Sequence, residues 1–188
     1  MPNWVRNTLT ITGSPEQLKT FASIVGKKVK PYLEPVNAHE VNAFNFYNIK
    51  APYKKDIQSY RTGDIWHEWN TNNWGTKWNS CDTWFVDGSG YPIPKLTYVF
   101  DTAWSPPRGI IEIDLPKLLK KYKLNTIVIR WLFVEEQNWG GIYIIGSEVN
   151  LIAEWDELNS HYEHQLYETD CVCTWDDDEE NYYYDCPR

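Results

Sequence analysis

The chain has 188 residues, and its 42% hydrophobic and 23% charged composition is that of a folded chain and excludes an intrinsically disordered one. Formal net charge is −8. No run approaches the roughly 18 apolar residues of a membrane-spanning helix, and the stretch Ile127 to Val134 is broken by Arg130, so no membrane role is expected.

The charge is unevenly placed. Residues 1–147 hold 17 Lys/Arg against 13 Asp/Glu, a net +4, while residues 148–188 hold Arg188 against 13 acids, a net −12. This division predicts a mildly basic body, 1–147, and an acidic, aromatic-containing extension, 148–188. A polyanionic surface repels nucleic acid and attracts proteins with basic grooves. The N-terminus has no cationic start followed by an apolar stretch, so an unprocessed cytosolic protein is expected, with Cys81, Cys171, Cys173 and Cys186 as reduced thiols.

Trp4 to Thr12 alternates β-forming residues and ends at Gly13, which predicts a strand. Ser14, Pro15 and Gln17 then predict a helix start with a capping box, and Leu18, Phe21, Ala22 and Val25 give one apolar stripe ending at Gly26. Residues 27–64 read as loop with one short helix near Tyr53 to Tyr60. Residues 65–80 carry four Trp and fit no regular period. Thr83 to Val86 and Leu96 to Phe100 predict two strands separated by turn formers. Ser105-Pro106-Pro107 signals another helix start, Leu115, Leu118, Leu119 and Tyr122 have helical spacing, and Pro116 predicts a break with Asp114 capping a second segment. Thr126 to Val134 and Ile142 to Ile145 predict paired strands around Trp139-Gly140-Gly141. Leu151, Ile152, Trp155 and Leu158 suggest a short amphipathic helix opening the extension. The order places the chain in the α+β class.

Met1-Pro2-Asn3-Trp4 followed by Asn7-Thr8-Leu9-Thr10-Ile11 resembles the start of the YubB-type ferredoxin-like proteins, a largely uncharacterised family carried by phages and plasmids. Asn73-Trp74-Gly75-Thr76-Lys77-Trp78-Asn79, Phe100-Asp101-Thr102-Ala103-Trp104-Ser105-Pro106-Pro107 and Glu135-Glu136 before an aromatic–glycine turn are similar to its further motifs. The resemblance implies a ferredoxin-like split βαβ sandwich with helices on one sheet face, here with a Trp-rich insertion and the acidic C-terminal extension. It carries over no catalytic residue.

Four groups of residues are candidates for function. Trp66, Trp69, Trp74, Trp78 and Trp104 form a candidate aromatic platform for unpaired bases. No RNP-like pattern accompanies them, and rings that fill the core of a small sheet are the favoured reading. Asp101, Glu135 and Glu136 are candidate carboxylates for acid–base chemistry or a hard metal. Neighbours on a regular strand point to opposite faces, so Glu135 and Glu136 are not expected to share a pocket, and Asp101 reads as a structural partner of the Ser105 turn or of Lys77. His161, His164, Cys171, Cys173 and Cys186 could bind zinc, but Cys-x-Cys is not the usual knuckle spacing, so no metal or cofactor is assigned.

The fourth group is Trp175, Asp176, Asp177, Asp178, Glu179, Glu180, Tyr182, Tyr183 and Tyr184, where dense carboxylates lie beside aromatic anchors, as on an interaction surface. A tail that only keeps the protein soluble is the alternative. No nucleophile–base pair or phosphate loop supports an enzyme. The expected function is non-enzymatic. The expectation is a phage or mobile-element accessory protein that inhibits a basic, nucleic-acid-binding host protein (a defence nuclease or CRISPR effector) through a nucleic-acid-mimicking acidic surface. The alternative is a single-stranded nucleic-acid-binding module built on the Trp platform.

Overall fold

Alternation along the first strand decides which side of the sheet is core. Strand β1, Trp4–Thr12, buries Val5, Asn7, Leu9 and Ile11 completely on one face and turns Trp4, Arg6, Thr8 and Thr10 to the other. The computed structural model of the protein describes residues 3–27, 44–53, 66–88, 90, 92–137, 139–155, 172–176 and 181–185. Strands β2 (Cys81–Gly88), β3 (Lys95–Ala103), β4 (Val128–Glu135), β5 (Gly140–Ile145) and β6 (Val149–Trp155) join β1 in one sheet. Its order is β2-β3-β1-β4-β5-β6, and every neighbouring pair is antiparallel. A separate hairpin pairs β7 (Val172–Asp176) with β8 (Asn181–Asp185). The protein is therefore α+β.

Helices α1 (Pro15–Val25), α2 (Phe46–Ile49), α3 (Trp66–Trp74) and α4 (Leu115–Lys121), with a π-helical turn at Ile110–Asp114, supply one side of the core. Leu18, Phe21, Phe46, Trp74, Ile110 and Leu115 meet Leu9, Tyr98, Phe100, Trp131 and Phe133 of the sheet in one cluster. Phe44 lies at its centre, stacked on Phe100 at 5.2 Å and edge-on to Trp131 at 5.8 Å.

One amide interrupts this apolar layer. Asn7 is fully buried, yet its Nδ2 donates to Val5 O at 2.9 Å and to Thr102 Oγ1 at 3.0 Å, and its Oδ1 accepts from Trp131 Nε1 at 3.0 Å. Those bonds tie β1 to β3 and β4 and leave no orphaned group on the amide's acceptor or donor side.

Several expectations give way to tertiary contacts. The capping box does not form. Ser14 makes no side-chain cap bond, and Gln17 Oε1 instead accepts from Thr126 N at 3.0 Å, while Ser14 N donates to Thr126 Oγ1 at 3.0 Å. The two residues dock α1 on the turn before β4 rather than closing their own helix end. The aperiodic Trp segment contains helix α3, whose inward positions include buried Asn70 and Trp74. An asparagine on the inner face hid the apolar stripe. Pro116 does not break the chain: Leu115 N donates to Ile110 O, a wider π-type bond, and helix continues through the proline. The helix expected from Leu151 and Ile152 is strand β6, paired along β5, so the body of the fold extends past residue 147. The helix expected near Tyr53 to Tyr60 falls almost wholly outside the described residues.

Asn7→Leu preserves volume but strips the amide from three strands and leaves Trp131 Nε1 buried without an acceptor. It is expected to destabilise the fold by about 2–3 kcal/mol. Urea unfolding measures this, and a loss under about 0.5 kcal/mol would show that the strands are held by apolar packing alone.

Candidate binding site at the end of the sheet

The two Trp motifs are locked to each other through backbone. Gly75 lies at φ +85°, a left-handed conformation, and a Cβ there would stand 2.8 Å from Arg108 N. A Cβ on Gly109 would stand 2.1 Å from Asn73 O. Such approaches are open only to glycine, and they press the 73–79 loop against the 103–109 loop. Thr76 Oγ1 donates to Ala103 O at 2.8 Å, and Asn70 Nδ2 donates to Lys77 O at 2.8 Å. Trp74 is fully buried and its Nε1 donates to Lys50 O at 2.8 Å.

The lock aims Trp104 outward. Thr102 Oγ1 donates to Ser105 O at 2.9 Å, and Trp104 N donates to Asn3 O at 2.8 Å. Between these holds Trp104 adopts φ +73° and stays 50% exposed. A bulky residue in the left-handed region is strained by about 1–2 kcal/mol. Lys77 Nζ sits 4.4 Å over the Trp104 ring and 5.8 Å from the Trp78 ring, and Trp78 meets Trp4 at 5.4 Å.

Trp4 leads to a cavity of about 420 Å³ on the face away from the helices, lined by Trp4, Arg6, Thr8, Asp101, Leu132, Val134, Glu135 and Glu136. Register explains the set. Arg6 lies directly opposite Asp101 on β3 and opposite Val134 on β4. Arg6 Nε approaches Asp101 Oδ1 at 2.7 Å and its Nη2 donates to Oδ2 at 3.1 Å, a two-point pair. Asp101 thus pairs with Arg6, not with the expected Lys77. Glu135 and Glu136 do line one cavity. Alternation nevertheless holds to the end of β4: Glu135 lies opposite core-facing Val5 and is buried, whereas Glu136, whose N donates to Trp4 O at 3.2 Å, is exposed.

The five predicted Trp residues do not form one platform. Trp69 and Trp74 pack edge-on at 5.6 Å within the helical layer, and Trp66 is partly buried against the core. Trp78 and Trp104 belong to the cavity end with Trp4, which composition alone did not single out. Trp84, 70% exposed on β2, is a further outward ring. Of the acidic group, Trp175 and Asp176 lie in β7 and Tyr182, Tyr183 and Tyr184 in β8, while Asp177, Asp178, Glu179 and Glu180 lie outside the described residues. So do His161, His164, Cys171 and Cys186. Among the described residues, no cluster of three or more His, Cys, Asp or Glu is placed to hold a metal ion, and no helix is long and apolar enough to cross a membrane. Comparison with protein-family models, with curated proteins and with solved structures finds no match.

Burial is the largest influence on the Asp101 carboxyl and raises its pKa; Arg6 opposes it, and Asp82 and Glu136 add to the rise. The folded protein therefore holds this proton more tightly than the unfolded chain does. The stability that Asp101 contributes is full at acid pH and is lost as pH rises from about 4, the ordinary carboxylate value, through the raised folded value. Asp101→Asn does not titrate, so the stability of the natural protein minus that of the variant should fall as pH rises above about 4. A difference independent of pH in urea titrations would contradict this. Relief of backbone strain gives a second expectation: Trp104→Gly should be more stable than Trp104→Ala by about 1 kcal/mol, because only glycine takes φ +73° freely. Equal stability of the two variants would show that the turn relaxes.

Proposed function

We propose that the protein is a non-enzymatic inhibitor that binds a basic, nucleic-acid-handling host-defence protein and competes with nucleic acid through its acidic segment. The observation that carries this reading is the pairing of β7 with β8. Its register sets Trp175 opposite Tyr182 and Asp176 opposite Asn181, so the acids at 177–180 are bracketed in sequence by two paired strands. A tail that served only solvation would have no use for such pairing. The partition of charge, +4 over residues 1–147 and −12 over 148–188, supports a basic partner for the segment. The phage and plasmid setting rests on the resemblance of the Trp motifs to the YubB-type proteins. A ferredoxin-like reading of the sheet agrees with it: the order β2-β3-β1-β4, with helices in the β1–β2 and β3–β4 connections, is compatible with a split βαβ plan to which β5 and β6 add a hairpin.

The exposed Trp104 with Lys77 on its ring favours a second reading, stacking of single-stranded nucleic acid at the cavity end. The carboxylates of Asp101, Glu135 and Glu136 beside it weigh against a phosphate backbone there.

The test is plasmid survival in bacteria that carry a nuclease-based defence. Expression of the chain is expected to raise survival, and replacing Asp176, Asp177, Asp178, Glu179 and Glu180 by Asn or Gln is expected to abolish the gain while moving Tm by less than about 3 °C. The same gain from the neutralised variant overturns the acidic-surface reading. Salt-sensitive binding of a labelled single-stranded oligonucleotide, stronger on deleting residues 170–188, would establish the second reading instead.

A further inference from the structure

We propose that β2 is a homodimer interface, pairing antiparallel with β2 of a second copy about a two-fold axis through Phe85. The six-stranded sheet ends in two edges, β2 and β6, and among the described residues neither pairs on its far side. A register shift breaks β6 at its middle, between its pairings with Ile142 and Tyr143, which spoils that edge as a template. The shift in β2 lies at its start, between Cys81 and Trp84, and Trp84 to Gly88 then run in regular register along Val99 to Lys95. No lysine, arginine or proline guards this edge, and its centre, Thr83-Trp84-Phe85-Val86, consists of β-forming residues. On the outer face Trp84 is 70% exposed and Val86 49% exposed.

Register and charge select the occupant. Opposite residues of an antiparallel pair share a face, so an axis through Phe85 sets Trp84 against Val86 of the second copy and Val86 against its Trp84. Each exposed apolar side chain is thereby covered by the other, twice, and both helical layers stay on one side of a continuous sheet. Phe85, stacked on Tyr98 at 4.7 Å, meets its own copy on the inner face. Other axes fail. One through Val86 brings Asp87 against Phe85, and one through Trp84 carries Val86 into the irregular stretch between Cys81 and Trp84. An axis midway between Trp84 and Phe85 sets Asp82 against Asp87. The chain's own acidic segment does not suit this edge, because β2 carries these two acids and no cation. The contact is short, so the dimer belongs to the weak class, with a dissociation constant of micromolar order.

This inference rests on the body of the fold and stands apart from the acidic segment. Sedimentation equilibrium of the full chain, from about 1 μM to about 1 mM, is expected to show a monomer–dimer equilibrium. A monomer throughout overturns the proposal. Trp84→Lys and Val86→Glu change exposed side chains, so both should fold normally, and each should weaken the dimer at least about tenfold. Mixing the two variants tests the register. The lysine introduced at 84 then faces the glutamate introduced at 86, and the other Trp84–Val86 pair is intact. A heterodimer should therefore form more tightly than either variant pairs with itself. Unchanged association of either variant, or no gain on mixing, overturns the proposal. The chain neutralised at 176–180 should dimerise at least as tightly as the natural one, because its copies repel each other less. Loss of the dimer in that chain would place the contact in the acidic segment and overturn the assignment to β2.

Discussion

A buried amide must find partners or the layer that contains it fails, and Asn7 finds them on both sides of its strand. Its bonds reach Thr102 on β3 and Trp131 on β4, so the three central strands share one polar node inside an otherwise apolar face. A slip of β1 by one residue would turn Asn7 to the outer face and bury Arg6 in its place. The node therefore specifies register as much as it stabilises. Thr102 passes the constraint on, since its hydroxyl also donates to Ser105 O and so shapes the turn that holds Trp104 at positive φ.

Register then determines the outer face. With Arg6 opposite Asp101 and Val134, a guanidinium, a carboxylate and an apolar floor are gathered by cross-strand neighbours alone. The loops complete the site. Glycines at 75 and 109 let the 73–79 and 103–109 segments approach closer than any side chain would permit, and Trp78 is carried to Trp4. The motifs Asn3–Trp4, Asn73–Asn79, Phe100–Pro107 and Glu135–Glu136 meet at one end of the sheet. Buried Trp74 anchors that end from within, and exposed Trp104 presents it outward.

Strands that alternate strongly were legible as sequence, as Trp4–Thr12 was, because a half-buried strand writes its period into side-chain polarity. Helix α3 was not, because its inward positions include Asn70, whose amide is satisfied by Lys77 O, a partner no local pattern reveals. Pro116 misled for a related reason: a π-turn absorbs the missing donor, and its formation depends on Ile110, Ile111 and Leu115 being drawn into the core. Leu151 and Ile152 suggested a helix because short apolar runs carry no period, and pairing with β5 made them a strand. The carboxylates at 135 and 136 were legible as candidates, and the register separates them, with Glu135 opposite buried Val5 and Glu136 exposed past the end of β4.

Composition, charge and local periodicity by themselves determined that the chain folds, that its C-terminal fifth is acidic and aromatic, and that its class is α+β. These properties are sums over residues or local periods, and neither needs a partner distant in sequence. Only the tertiary structure decided which tryptophan is core and which is surface, which cation Asp101 holds, and that Trp4, Arg6 and Glu135 share a cavity. Each of these depends on contacts between residues far apart in the sequence, formed by strand register and by glycine-permitted loop contacts.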